Sequence, residues 1–167
     1  MSARRRALPM IDARFLRSKV SHLVALGFGA GLSPYAPGTI GTLWGWAAYA
    51  VLDVALTPLA IGWLIAIALP LGVWACARTA EDLGVADHGA IVWDEIVAFW
   101  IVLWVLGDAG VGLQAVAFAL FRGFDALKPG PIGVLDRSVH GGLGVMLDDL
   151  AAAFATLFVI AVGSALW

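Results

Sequence analysis

"VWDEIVAFWIVLW", Val92 to Trp104, decides how the chain is read. Two acids, Asp94 and Glu95, stand near its start, and every residue from Ile96 to Leu106 is apolar. "HGGLGVMLDDL", His140 to Leu150, repeats the arrangement, with Asp148 and Asp149 standing before residues 150–167, none of which is charged. Apolar stretches of this kind, read by length, are membrane helices. Paired carboxylates at the mouth of two such stretches then need a reason.

Composition agrees with a membrane setting. The 167 residues are 62% hydrophobic and 13% charged, where an ordinary soluble domain has about 45–50% apolar and about 25% charged residues. Mean hydropathy is +0.93. Eight tryptophans suit the interface between lipid and water. The length fits one domain, residues 1–167. A net charge of −2 without a basic stripe argues against nucleic acid. The single cysteine, Cys76, excludes an internal disulfide. The opening "MSARRRALPMIDARFLRSK" lacks the apolar core and cleavage site of a signal peptide. Residues 1–20 are expected to form a basic cytoplasmic segment.

Five apolar segments follow: Ile40 to Leu56, Leu59 to Ala77, Ile96 to Leu106, Val111 to Phe121 and Leu150 to Trp167. Thr57-Pro58 and Gly107 to Gly110 read as turns that fold the first four segments into two hairpins. Segments three and four are short, since about 11 residues rise only about 16 Å, and a shallow hairpin is an alternative to full spans. His22 to Ala30 reads as an interfacial or re-entrant piece. The expected fold is all-α, a small polytopic bundle of four or five transmembrane or re-entrant helices. All ten basic residues fall on one side of it, from Arg4, Arg5 and Arg6 to Arg137. The positive-inside rule makes that side cytoplasmic. Both acid pairs lie there too.

One acid pair alone is well explained as a helix cap. Two pairs, joined by Asp125 at the end of segment four, are less easily dismissed, because clustered acids repel unless a cation sits among them. All-oxygen ligands suit a hard cation, and Mg²⁺ commonly takes one or two carboxylates together with substrate phosphate. In "FRGFDALKPGPIGVLDRSVHGGLG", Arg122, Asp125 and Lys128 recur every three residues, which places two cations beside a carboxylate. Arginine suits bidentate phosphate contact and lysine acts as a point charge. Both could instead pair with the acids or snorkel to headgroups. Gly141, Gly142 and Gly144 read as a flexible loop or as an anion cradle. "GFGAGLSPYAPGTIGTLWGW" has neither a Walker ending nor a dinucleotide setting; it reads as a rigid polar loop, including Thr39, beside a headgroup site. Asp87, His88 and His140 lack the spacing of a transition-metal site and read as surface polar residues. No cysteine-phosphatase C-x5-R, D-x-D-x-T or G-x-S-x-G motif is present. Hydrolysis would then depend on a carboxylate-held metal.

"GFGAGLSPYAPGTIGT", "DHGAIVWDE", "FRGFDALKPGPI" and "DRSVHGGLGVMLDD" occur in this order over residues 27–149. Together they resemble the phosphatidylglycerophosphatase A family. The resemblance implies a Mg²⁺-dependent, multi-pass enzyme of the bacterial inner membrane with its active site facing the cytoplasm. It would remove the terminal phosphate of phosphatidylglycerophosphate to leave phosphatidylglycerol. Asp94, Glu95, Asp125, Asp148 and Asp149 would form the catalytic and metal-binding set, with Arg122, Lys128 and Thr39 on the phosphate. A homo-oligomer is compatible with this reading. Ala98 stands where the family often has glycine, and Ala152-Ala153 where it often has Ala-Gly, small-to-small changes that bear on helix spacing. A rival reading makes the interfacial carboxylates an ion or proton path, with Asp53 inside a segment. A second rival is a scaffold that binds anionic lipids through its basic residues.

Overall fold

The structure, a computed structural model, describes residues 11–85, 88–130, 132–133, 139 and 141–165. The described residues are helical, with no strand. Two short helices, α1 (Ala13–Ser18) and α2 (Val20–Ala25), lead into a 3-10 turn over Gly27–Leu32. Five longer helices follow: α3 (Pro37–Ala55), α4 (Pro58–Leu83), α5 (Trp93–Leu106), α6 (Val111–Leu127) and α7 (Gly141–Ala165).

Local chemistry sets these boundaries. The Asp12 carboxylate accepts from the backbone N–H groups of Arg14 and Phe15 and caps α1. Thr57 caps α4 through the Ala60 N–H, and Pro58 takes the first helical position, where its missing N–H does no harm. Gly84, left-handed at φ 70°, ends α4. Gly107, at φ 56°, ends α5.

The helix read as a short, shallow segment proves to be the centre of the molecule. α5 touches α3, α4, α6 and α7. Ile96, Val97, Ala98, Phe99, Val102 and Leu103 are all buried, so its lack of a polar face follows from burial on every side. Trp93 at its start and Trp100 at its middle are core residues and not interfacial anchors. The Trp93 indole donates to Ala68 O of α4 at 3.1 Å, and that of Trp100 donates to Gly45 O of α3 at 2.8 Å. α3 meets α5 through Gly38, Gly41 and Gly45. A Cβ on Gly41 would stand 2.7 Å from Val92 Cβ, and one on Gly45 would stand 3.2 Å from Ile96 Cα. Part of the expected polar loop is thus a helix face that lets two backbones approach.

Other expectations change as well. The chain reverses at Thr57 and at Gly107, but α3 and α4 touch only weakly. α3 instead packs on α5, and α6 packs on α7. The last helix begins at Gly141, not near Leu150. Gly142 and Gly144 are therefore packing positions and not loop: a Cβ at either would lie 2.1 Å from a carbonyl oxygen, of Val73 or Val139 respectively. The second half of the basic N-terminal segment is folded, with Leu16 buried beside Leu26 and Ala90. Arg4, Arg5, Arg6, Asp87, Arg137 and His140 lie outside the described residues.

α4 and α7 are, among the described residues, the two helices long and apolar enough to cross a membrane, each with a hydropathy of 2.1. Their outer faces carry exposed Leu59, Trp63 and Ile67 on α4, and Phe154 and Phe158 on α7. Water-soluble monomers rarely leave such rows uncovered.

Candidate active site

Three helices bring the expected acids to one end of the bundle. Asp94 and Glu95 sit in the first turn of α5, Asp125 in the last turn of α6, and Asp148 and Asp149 inside α7. Asp94 is 7%, Asp148 6% and Asp149 2% exposed. Carboxylates this buried are rare unless they are paired or hold a cation. Since α7 starts at Gly141, Asp148 and Asp149 lie about 10–12 Å along its axis, and helix capping cannot account for them. Asp94 and Glu95 do occupy a first turn, where a negative charge suits the helix dipole.

Arg122 ties the cluster together. Its Nη1 donates to Glu95 Oε1 at 2.9 Å and to Asp125 Oδ2 at 2.6 Å, with Thr42 Oγ1 at 3.5 Å. Thr42 in turn donates to Gly38 O at 2.9 Å. Arg122 Nε is buried without an acceptor among the described residues. A buried N–H left unsatisfied costs about 1–3 kcal/mol, more on a charged group, so the guanidinium keeps a donor suited to an incoming anion. Lys128, at a left-handed position closing α6, donates from its ammonium to Asp148. Asp149 is buried within electrostatic range of Asp94, Asp125 and Glu95. Acids gathered this closely away from water need a proton or a cation among them.

Thr39 occupies the first turn of α3 and is half-buried, but the hydroxyl that reaches Arg122 is that of Thr42. Gly38 was also missed as a site residue. A Cβ there would stand 2.0 Å from Glu95 Oε1 and 3.0 Å from Arg122 Nη2. The signal lay in "PGTIGT", whose Gly38 and Thr42 fall one helical turn apart. His88 is a turn residue, its Nδ1 accepting the Ala90 N–H at 3.2 Å. Asp53 is exposed near the far end of α3, about 22 Å along the axis from Gly38.

Mg²⁺ can be tested against these donors. Among the described residues, no three His, Cys, Asp or Glu side chains are already drawn together as a closed ligand set. The donor chemistry still fits, because the five acids offer only oxygen and Mg²⁺ ordinarily takes one or two carboxylates, completing its shell from water and phosphate. Asp149, with Asp94, Asp125 and Glu95 in electrostatic range, supplies the negative charge that such a cation would offset.

A half-buried guanidinium with a donor to give, paired with two carboxylates at the end of an apolar helical bundle, suits a phosphate ester. The family model for Phosphatidylglycerophosphatase A matches residues 23–164, and the chain belongs to that family. It is 43% identical over 143 residues to the Phosphatidylglycerophosphatase A of Escherichia coli, covering 84% of this chain and 81% of that one. It is 45% identical over 147 residues to the Haemophilus influenzae protein of the same name, covering 84% and 87%. A Bacteroides thetaiotaomicron protein named provisionally as a phosphatidylinositol-3-phosphatase is 38% identical over 147 residues, covering 84% and 91%. No solved structure matches the chain. The protein is a phosphatase. The ion-transport reading gains nothing from these relatives.

Proposed function

We propose that the protein hydrolyses the terminal phosphate monoester of phosphatidylglycerophosphate to phosphatidylglycerol and phosphate. It would do so with Mg²⁺, at the cytoplasmic face of a bacterial inner membrane that it crosses several times. The observation that carries the reading is the half-buried Arg122, held by Glu95 and Asp125 while its buried Nε still lacks an acceptor among the described residues. The names of the relatives supply the substrate.

Each group has a task in this scheme. Arg122 binds phosphate oxygens, its orientation fixed from two sides by the Glu95 and Asp125 carboxylates and supported by Thr42. Lys128 adds positive charge at the same end. The reaction breaks the ester's phosphorus–oxygen bond, places a water oxygen on phosphorus and returns a proton to the departing lipid hydroxyl. Asp149, with Asp125 in electrostatic range, would take that water's proton and give one back. Asp94, Glu95, Asp125, Asp148 and Asp149 are the donors from which Mg²⁺ would draw its protein ligands. When bound, it would neutralise charge on the phosphate. Burial keeps these interactions strong by excluding bulk water.

Purified protein given phosphatidylglycerophosphate should release phosphate with Mg²⁺, stop with a chelator and resume when Mg²⁺ is restored. Release that ignores the chelator would remove the metal from the scheme. No release under any of these conditions would remove the substrate.

A further inference from the structure

Two cavities lie on one seam between α6 and α7. The first, about 500 Å³, is bounded by Phe124, Pro129, Ile132, Ala151, Phe154 and Ala155. The second, about 350 Å³, is bounded by residues that include Leu113, Val116, Leu120, Val159 and Ile160. Among the described lining residues the first cavity has no polar side chain, and the second has one, Ser164, at the end away from the acids. One helical turn separates the two, from Phe124 to Leu120 on α6 and from Ala155 to Val159 on α7, or about 6 Å.

The first cavity begins at the acid cluster. Phe124 precedes Asp125, Pro129 follows Lys128, and Ala151 stands one turn beyond Asp148. The second lies further from the cluster along both helices. From Phe124 to Leu113 the seam runs about 17 Å at 1.5 Å per residue, close to one leaflet's share of a hydrocarbon core about 30 Å thick. The exposed row on α4 belongs to a helix that contributes none of the five acids.

We infer that the α6–α7 seam holds one acyl chain of the lipid substrate while its phosphate lies at Arg122. The inference rests on the proposed phospholipid substrate and adds where its apolar part binds. A molecule with a charged head joined to an apolar tail needs a polar site and an apolar groove that meet, and here they meet at Asp125 and Lys128. Contact with a part of the substrate remote from the phosphorus would hold the headgroup in register and favour lipids over water-soluble phosphate esters.

Two measurements decide it. Ala151→Trp and Ala155→Trp fill the first cavity. Each should lower the ratio of kcat/KM for dioleoyl over dihexanoyl phosphatidylglycerophosphate by at least about ten-fold, the effect of denying a chain a couple of methylene contacts, with the loss mainly in KM. A ratio that stays at the parent value overturns the groove. The second measurement uses the unaltered chain, so it decides the matter even if a tryptophan variant fails to fold. Substrate carrying a diazirine near the end of one acyl chain should label residues 151–163, and excess unlabelled substrate should suppress that labelling while sparing α4. Labelling of the seam that unlabelled substrate does not suppress means bulk lipid occupies it, and the inference fails. If the parent releases phosphate from neither lipid, the substrate reading falls and takes the inference with it. If the parent is active on both and the ratio does not move, only the groove is wrong.

Discussion

Glu95, Asp125 and Asp149 stand where a change of one atom separates charge from shape. Glu95→Gln, Asp125→Asn and Asp149→Asn keep volume while removing a carboxylate. If each carboxylate provides about 3–4 kcal/mol of transition-state stabilisation, phosphate release falls by about two to three powers of ten. Circular dichroism in detergent should remain that of the parent. Parent-level release from all three would rule out the proposed roles. Arg122→Lys keeps the charge but loses the Nε donor and the planar guanidinium whose Nη1 reaches both Glu95 and Asp125. A lost charged hydrogen bond of about 1.5–3 kcal/mol should reduce kcat/KM roughly 10- to 100-fold, chiefly through KM. Gly38→Ala is the sharper test, because its methyl would occupy the space of Glu95 Oε1. The carboxylate would have to swing off Arg122, so activity should drop about as far as in Glu95→Gln, with the fold retained. A fully active Gly38→Ala would show that the Glu95–Arg122 contact is dispensable. The acids and bases of the site were legible from sequence because charge is scarce in so apolar a chain. Thr42 and Gly38 were not, because small residues are common and their importance appears only where α3 crosses α5.

At the scale of an element, α7 shows what sequence patterns conceal. Gly141, Gly142 and Gly144 suggested a loop, since glycine costs a helix roughly 1 kcal/mol relative to alanine. Packing outweighs that preference: Gly142 lets α7 lie against the Val73 carbonyl of α4, too close for any side chain. Gly142→Ala should destabilise by about 1–3 kcal/mol, as overpacking does, and lower the thermal midpoint in detergent. Gly112→Ala, with no neighbouring atom within 4 Å, should leave the midpoint unchanged or raise it. Equal midpoints for Gly142→Ala and the parent would mean that the α4–α7 contact is looser than described. The extension of α7 back to Gly141 also turns Asp148 and Asp149 from residues at a helix mouth into residues on a helix wall. The partners of α5 were illegible for a related reason. A helix apolar on every side gives no periodic hint of which face meets which neighbour.

For the whole molecule, the turns at Thr57 and Gly107 fall at the end opposite the acids. The proposed orientation places them in the periplasm. With the buried Cys76 replaced by alanine, Asp108→Cys should react with an impermeant thiol reagent applied from the periplasm. Gly84→Cys, at an exposed position, should react only once the membrane is opened. The reverse pattern would place the site on the other face. The helical class and the gathering of the acids at one end were readable from the apolar runs and the charges between them. The packing order of the helices came only with the fold.

The shortness of α6 has a consequence for the lipid that would surround the protein. Its 17 residues reach about 26 Å, less than a bilayer core of about 30 Å. In the proposed membrane placement this helix, which exposes Val111, Leu113 and Val116, falls short of the core's thickness, and its last turn carries Asp125. Hydrophobic mismatch of this kind is relieved by local thinning of the bilayer, at fractions of a kcal/mol per Å. Thinning would bring headgroups down to the carboxylates instead of requiring the substrate to be lifted out of its leaflet. With the substrate's own chains held constant, turnover should then be faster in vesicles of short-chain host lipids than in long-chain ones. Turnover that does not change with host thickness would mean the lipid surface does not dip to meet the enzyme.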